Sequence, residues 1–289
     1  VPWMQQLLDN PFLLLFIGIA MPDDAPAPTP YRSVFRPGLF AGQVHWVTGA
    51  GSGIGRCVAH ELAALGALVV ISGRGVDKLA RVAEEIAQDG GRCATRPFDI
   101  RDEEAVRANV ASVVAEHGPI HGLVNNAGGQ FPSPMQGISK KGFDAVLANN
   151  LTGGFLMMRE VFNQSMHKHG GAIVNMTADF RNGMPGMAHS GAARAGMSNL
   201  TMTAAYEWGS AGVRVNAVAP GWVASSGMDT YAGAVRAMIP KLKGHVPLHR
   251  LATEAEISAV IVFLLSPGAA FVTGVTVQID GGSSLGSAI

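Results

Sequence analysis

Cysteine is scarce in this chain: there are two among 289 residues, Cys57 and Cys93, and they fit no metal-ligand spacing. They read as small buried hydrophobes in a reducing compartment. An excess charge of either sign is also missing. Lys plus Arg and Asp plus Glu number 21 each, so the formal net charge is zero. A nucleic-acid partner calls for a basic surface, and none is advertised. A membrane-spanning run is lacking too. The apolar stretch 11–20 is shorter than the roughly 20 residues a bilayer helix needs, and it has no basic leader of the secretory kind, with Asp9 just ahead of it. Met21 follows that stretch directly, so the natural start is expected there; a peripheral anchor and an oligomer contact are the competing readings. Residues 1–34, including the Pro-rich PDDAPAPTP, are expected to form an extension with little structure. No metal site is expected. His167 and His169 sit at a helix end before Gly170, where cations offset the dipole.

What is present is apolar residue, nearly half the chain, and 37 glycines. Short apolar runs alternate with helix-like segments from Gly42 onward. Runs at 44–48, 68–72, 94–98, 122–126, 172–176, 214–219 and 275–279 are separated by helical spacing at 56–65, 76–88, 103–116, 142–168, 190–209 and 254–265. Continuous apolar strands joined through helices imply a parallel sheet covered on both faces, because parallel strands need crossovers. The expected fold is α/β: a single-domain Rossmann fold over 35–289, with a doubly wound parallel sheet of about seven strands.

The strongest local signal is Thr48-Gly49-Ala50-Gly51-Ser52-Gly53-Ile54-Gly55, which leaves the first strand and opens a helix. Glycines let backbone approach a diphosphate whose charge rests on helix N-terminal N–H groups. Taken alone the motif also fits a flexible turn. Further landmarks follow in order: Asp99, Asn125-Asn126-Ala127-Gly128, Asn149-Asn150-Leu151, Pro220-Gly221 and Asp280-Gly281-Gly282. Together they resemble the short-chain dehydrogenase/reductase family over roughly residues 40–282.

That resemblance implies a cofactor site built from Thr48, Gly49, Gly51, Ser52, Gly53, Ile54 and Gly55. Asp99 and Ile100 would flank the adenine. Asn125, Ala127 and Gly128 would line the pyrophosphate and ribose, and Pro220, Gly221, Val223 and Ser225 the nicotinamide end. At the end of the second strand, NAD enzymes place an acid on the ribose 2′-OH. Here the stretch is Ser72-Gly73-Arg74. An arginine fork suits a 2′-phosphate, so NADP(H) is expected over NAD(H); the alternative for Arg74 is a solvated loop charge.

The catalytic segment departs from the family's Ser, Tyr and Lys. By the resemblance Ser190 takes the Tyr position and Arg194 the Lys position. Thr177 and Ala178 stand where the Ser usually lies, and Asn150 alone is retained. HSGAARAG (189–196) and NNAGGQFPSP (125–134) are similar to the peroxisomal trans-2-enoyl-CoA reductases, and the dienoyl-CoA reductases share the Ser-for-Tyr exchange. That branch reduces carbon–carbon double bonds in acyl-CoA thioesters. Arg194 stays charged and is assigned to the nicotinamide ribose and to electrostatic support. Asn150 would orient a water or helix backbone. The proton source stays open among Ser190, Thr177, Asp179 and a water, since Ser198 replaces a tyrosine of the related reductases; a helix N-cap for Ser190 and a turn cap for Asp179 are the alternatives.

The expected function is therefore NADPH-dependent reduction of a trans-2-enoyl-CoA-type thioester. A carbonyl/alcohol dehydrogenase acting on an apolar terpenoid or steroid-like alcohol and a low-activity dinucleotide-binding protein are the alternatives. Phe131, Met135, Met184, Met187 and Met228 are candidates for an acyl pocket. Lys140, Lys141, Arg181, Lys241 and Lys243 are candidates for the phosphates of coenzyme A, or plain surface charges. A variable lid is expected at 226–246. Family habit implies a homotetramer, and the tail Ser287-Ala288-Ile289 is no peroxisomal address, so cytoplasm is the expected compartment.

Overall fold

The computed structural model describes residues 33–225 and 241–286. All but Ser33 belong to the compact unit Val34–Ile289. The expected N-terminal extension, but for its last two positions, and most of the expected lid, including Met228, lie outside the described residues.

Seven strands make one sheet: β1 (Val44–Thr48), β2 (Leu68–Gly73), β3 (Arg92–Pro97), β4 (Ile120–Asn125), β5 (Gly171–Met176), β6 (Val213–Pro220) and β7 (Thr276–Ile279). Their order is β3-β2-β1-β4-β5-β6-β7 and every pairing is parallel. This is the doubly wound arrangement the sequence predicts.

Alternation along each strand assigns side chains to the two faces. Val47, Val69 and Ile71 join one buried cluster with residues of α1 (Gly53–Ala64), α2 (Val76–Gln88) and α6 (Glu254–Leu265). Trp46, Val70 and Leu123 join a second cluster with α3 (Glu103–His117), α4 (Lys140–His169) and α5 (Ala188–Trp208). Burial on both faces explains why these strands read as unbroken apolar runs. Sequence spacing marks the elements and misplaces some ends: α1 begins three residues earlier than expected, at the glycine turn itself, and β3 and β4 two residues earlier.

α4 is one continuous helix interrupted by two π-turns, Ala148–Thr152 and Phe162–Met166. Such single-turn bulges release backbone groups for other partners. Here Asn150 uses the opportunity (see below). α6 starts with a capping box between Thr253 and Glu256. At its far end Arg214 donates to the carbonyls of Leu264, Leu265 and Ser266, satisfying acceptors the helix leaves open. Both cysteines are free and half-buried rather than fully buried, and burial pushes the Cys93 thiol up to about 12.

Candidate dinucleotide and substrate cleft

Strand order reverses between β1 and β4, so the loops leaving their C-terminal ends part and open a crevice. The turn after β1 is shaped by glycine. Gly49 and Gly53 have φ of +66° and +62°, a region disfavoured for other residues. At Gly55 a Cβ would lie 2.4 Å from Asn126 Nδ2 and 2.7 Å from the Gly49 carbonyl, so only glycine leaves room for the helix to start there. The Thr48 hydroxyl ties this turn to the loop after β4. It accepts from the N–H groups of Asn126 and Ala127 at 3.1 and 3.0 Å, and Asn126 Nδ2 donates to the carbonyls of Thr48 and Gly49. The cradle is thus held from both sides.

Two cavities meet at Gly128. The first, of about 250 Å³, is lined by Gly49, Gly51, Ser52, Arg74, Asp99, Ile100 and Ala127 among the expected residues. Gly73, Lys78, Phe98 and Asn149 line it as well. The Arg101 guanidinium hydrogen-bonded to Asp99 holds that carboxyl below its usual range. The second cavity, of about 430 Å³, is lined by Ile54, Thr177, Arg194, Pro220, Gly221, Val223 and Ser225, with Asn126, Gln130 and Trp222. Gly221 is also a packing requirement, since a Cβ there would lie 2.8 Å from the Asp280 backbone.

Several expected site residues point elsewhere. The Ser72 hydroxyl is fully buried and accepts from the Trp46 indole N–H at 2.9 Å, so only its carbonyl, which receives the Gly49 N–H, serves the turn. Asn125 faces α4 and β5, where Nδ2 donates to the Gly154 carbonyl and to Asn175 Oδ1. Its neighbour Asn126 lines the cleft instead. Gly53, Gly55 and Thr48 shape the turn without lining either cavity.

The catalytic candidates separate likewise. Asn150 is consumed by backbone: Oδ1 accepts from the Gly129 N–H, and Nδ2 donates to the carbonyls of Gly129 and Val146 at 2.7 and 2.8 Å. It fastens the loop after β4 to the π-turn. Of the two expected roles, the backbone one is what its bonds describe. The Thr177 hydroxyl donates to the Val218 carbonyl at 2.8 Å. Ser190 is not the N-cap of α5, which is Met187; its hydroxyl donates to Gln130 Oε1 at 2.5 Å. Asp179 Oδ1 is buried with no partner among the described residues.

Arg194 is the most exacting group. Nη1 donates to the Met176 carbonyl at 2.7 Å, while Nε has no acceptor among the described residues. Burial pushes its pKa down to about 10, which leaves it a cation at neutral pH. A buried cation without an anion demands strong acceptors, and the cavity beside it is where a ligand would bring them.

Residues of the cleft that escape sequence reasoning include Lys78, Phe98, Asn126, Gln130 and Trp222. Lys78 left a readable signal, standing in the first turn of α2, four positions beyond Arg74. For Phe98 and Trp222 there was none beyond adjacency to expected positions. The acyl-pocket candidates Phe131 and Met135 are exposed by 39% and 77%, and Lys140, Lys141, Arg181, Lys241 and Lys243 are all surface charges, Lys140 paired with Asp144. Among the described residues no group of side chains could hold a metal and no helix is long and apolar enough to cross a membrane.

Comparison with known proteins agrees with this geometry. Residues 49–284 match the family model described as Enoyl-(Acyl carrier protein) reductase. The chain is 34% identical over 264 residues to the peroxisomal 2,4-dienoyl-CoA reductase [(3E)-enoyl-CoA-producing] of Danio rerio, covering 89% of this chain and 87% of that protein. Among solved structures, the citronellol catabolism dehydrogenase (AtuB) of Pseudomonas aeruginosa PAO1 is 62% identical with a TM-score of 0.79, over 88% of this chain and 100% of that one. An actinorhodin polyketide ketoreductase variant solved with NADPH is 29% identical with a TM-score of 0.79, over 84% and 97% of the two chains. With its sheet order, its glycine turn and these matches, the chain belongs to the short-chain dehydrogenase/reductase family of NAD(P)(H)-dependent oxidoreductases.

Proposed function

We propose that this protein uses NADPH to reduce the carbon–carbon double bond of a trans-2-enoyl-CoA-type thioester. The observation that carries the reading is a buried arginine, Arg194, beside the second cavity where most of the family has Lys, with serine in place of the Tyr acid. A bound nicotinamide would supply hydride to the β-carbon. The protein's task is then to stabilise charge gathering on the thioester oxygen, and a fixed cation in a water-poor cavity does this without a low-pKa phenol. Arg194 Nε is a donor without an acceptor among the described residues, and the Ser190 hydroxyl is a second once it leaves Gln130. Gly128 keeps the wall thin beside Arg194, where a Cβ would lie 3.1 Å from Nη2. The α-carbon takes its proton from water, which Asp179 Oδ1, unpartnered among the described residues, is free to hold.

The residues present suit a dinucleotide. Gly49, Gly51 and Gly128 line the cleft with bare backbone, and at each a Cβ would come within 3.0 Å of a neighbour, so the surface is as low as it can be. Arg74 and Lys78 stand together on the adenosine side with no acid at the end of β2. Two cations favour a 2′-phosphate, which supports NADP(H) over NAD(H). The cofactor contact assigned to Asn125 passes to Asn126 in this proposal.

A second reading has its own support: the 62% identical relative is a citronellol catabolism dehydrogenase, which favours an apolar terpenoid alcohol or ketone. NADPH oxidation with crotonyl-CoA, decenoyl-CoA, citronellal and a panel of ketones, run beside NADP⁺ reduction with citronellol, decides between them. Turnover confined to alcohols and ketones would reject the thioester reading, and binding without turnover would favour a dinucleotide-binding protein of low activity. The homotetramer is carried forward on the same footing. Met202 and Tyr206 on α5 and Phe271 before β7 are exposed, and light scattering in solution reads the stoichiometry directly.

A further inference from the structure

Beside the cleft, two dipeptides clasp each other. Ser190 binds Gln130 through its hydroxyl, and the ring of His189 stands edge-on to the ring of Phe131 with centroids 4.4 Å apart. His189 is fully buried, at the start of α5. Its Nδ1 receives the Ser190 backbone N–H at 2.8 Å, an N–H shared with the Met187 carbonyl. An imidazole nitrogen that accepts carries no proton, so in the neutral ring the proton sits on Nε2. That Nε2–H is buried and finds no acceptor among the described residues. The Phe131 ring packed on this imidazole offers at most a weak π contact. Buried donors without acceptors are costly and rare, and a costly one beside a functional cleft asks for a reason.

We propose that His189 Nε2–H is a second neutral donor for the substrate's carbonyl oxygen, beside Ser190, and that Gln130-Phe131 occupies the place of that oxygen until substrate arrives. Phe131 is 39% exposed although it packs on a fully buried ring, so it spans the distance from solvent to the imidazole. Gln130 lines the same cavity as Arg194. Displacing this pair frees the Ser190 hydroxyl and uncovers the imidazole donor at once. The Ser190 hydroxyl and the His189 donor are then both open to the oxygen, and Arg194 lines the same cavity as a cation. The proposal rests on the reading of this cleft as one that polarises a carbonyl oxygen. It adds the residue that positions it.

Two conservative variants separate this role from a structural one. His189→Asn keeps an acceptor at the Nδ1 place and loses the reach of Nε2; His189→Gln keeps a donor at the Nε2 place. With NADPH and crotonyl-CoA, the Asn variant is expected to lose about tenfold or more in kcat/KM, as for a lost hydrogen bond to developing charge, and the Gln variant to stay within about threefold. Both should bind NADPH like the wild type. An Asn variant as active as the wild type beside an impaired Gln variant would overturn the proposal. A second readout needs no turnover. In ¹⁵N-histidine spectra of the NADP⁺-loaded protein, the His189 Nε2–H signal, assigned by its loss in the Asn variant, should shift when butyryl-CoA is added; a signal that stays in place overturns the proposal. A wild-type protein that reduces no enoyl thioester removes the functional reading instead. The same variant pair then decides the role of His189 with citronellal, whose carbonyl oxygen needs the same donors.

Discussion

At the scale of single residues, the proposed cofactor choice and charge stabilisation rest on three cations. Arg74 and Lys78 line the first cavity, the proposed adenosine side, so Arg74→Ala and Lys78→Ala should each weaken NADPH about tenfold while leaving NADH nearly unchanged, because only NADPH carries a 2′-phosphate. Equal losses for both cofactors, read by fluorescence titration, would place these side chains elsewhere in function. Arg194→Ala should weaken cofactor binding and turnover together, and Arg194→Lys should recover part of each. Legibility at this scale was uneven. Arg74 could be read from the residue type at a known turn, and Lys78 from helical spacing. The exchange of Asn125 for Asn126 could not: neighbours at a strand end face opposite ways, and which way is fixed by the buried chain from Asn125 through Asn175 to Thr201. Ser72 misled for the same reason, since its hydroxyl serves Trp46.

At the scale of elements, the cleft depends on two loops held in register by one threonine and one asparagine. Thr48→Val preserves shape but strands the N–H groups of Asn126 and Ala127, and should cost about 1–3 kcal/mol of stability in urea unfolding together with weaker NADPH binding. Gly55→Ala drives a methyl into Asn126 and the Gly49 carbonyl; about 1–3 kcal/mol and a displaced β4 loop are expected. If the alanine variant melted and bound NADPH like the wild type, the glycine would be a convenience rather than a requirement. The strands, the helices and the glycine turn were readable because burial on both faces leaves a strong apolar pattern. The π-turn around Asn150 was not, since nothing in helical spacing announces an inserted residue, yet from that turn Asn150 reaches the Val146 carbonyl and fixes Gly129.

At the scale of the whole molecule, the sheet carries a titrating group at its core. Burial, aided by His121, pushes His45 from its ordinary value down to about 3. A histidine lowered in the folded state leaves the unfolded chain holding more protons between its two pKa values, so stability is complete above about pH 6.5 and falls as the pH drops toward 3, by up to about 1.4 kcal/mol per pH unit. His45→Leu should flatten this acid limb in urea titrations at about pH 7 and about pH 5, and a wild-type profile already flat would contradict the assignment. The same sheet fixes where chemistry can happen, at the C-terminal edge where strand order turns, and there the account stakes its central claim. The most direct measurement follows crotonyl-CoA and NADPH together with purified protein, by absorbance and by product mass. The account predicts one NADPH consumed per thioester and a product heavier by two hydrogens with its carbonyl intact; NADPH consumed only with ketones, or bound and never consumed, would contradict it.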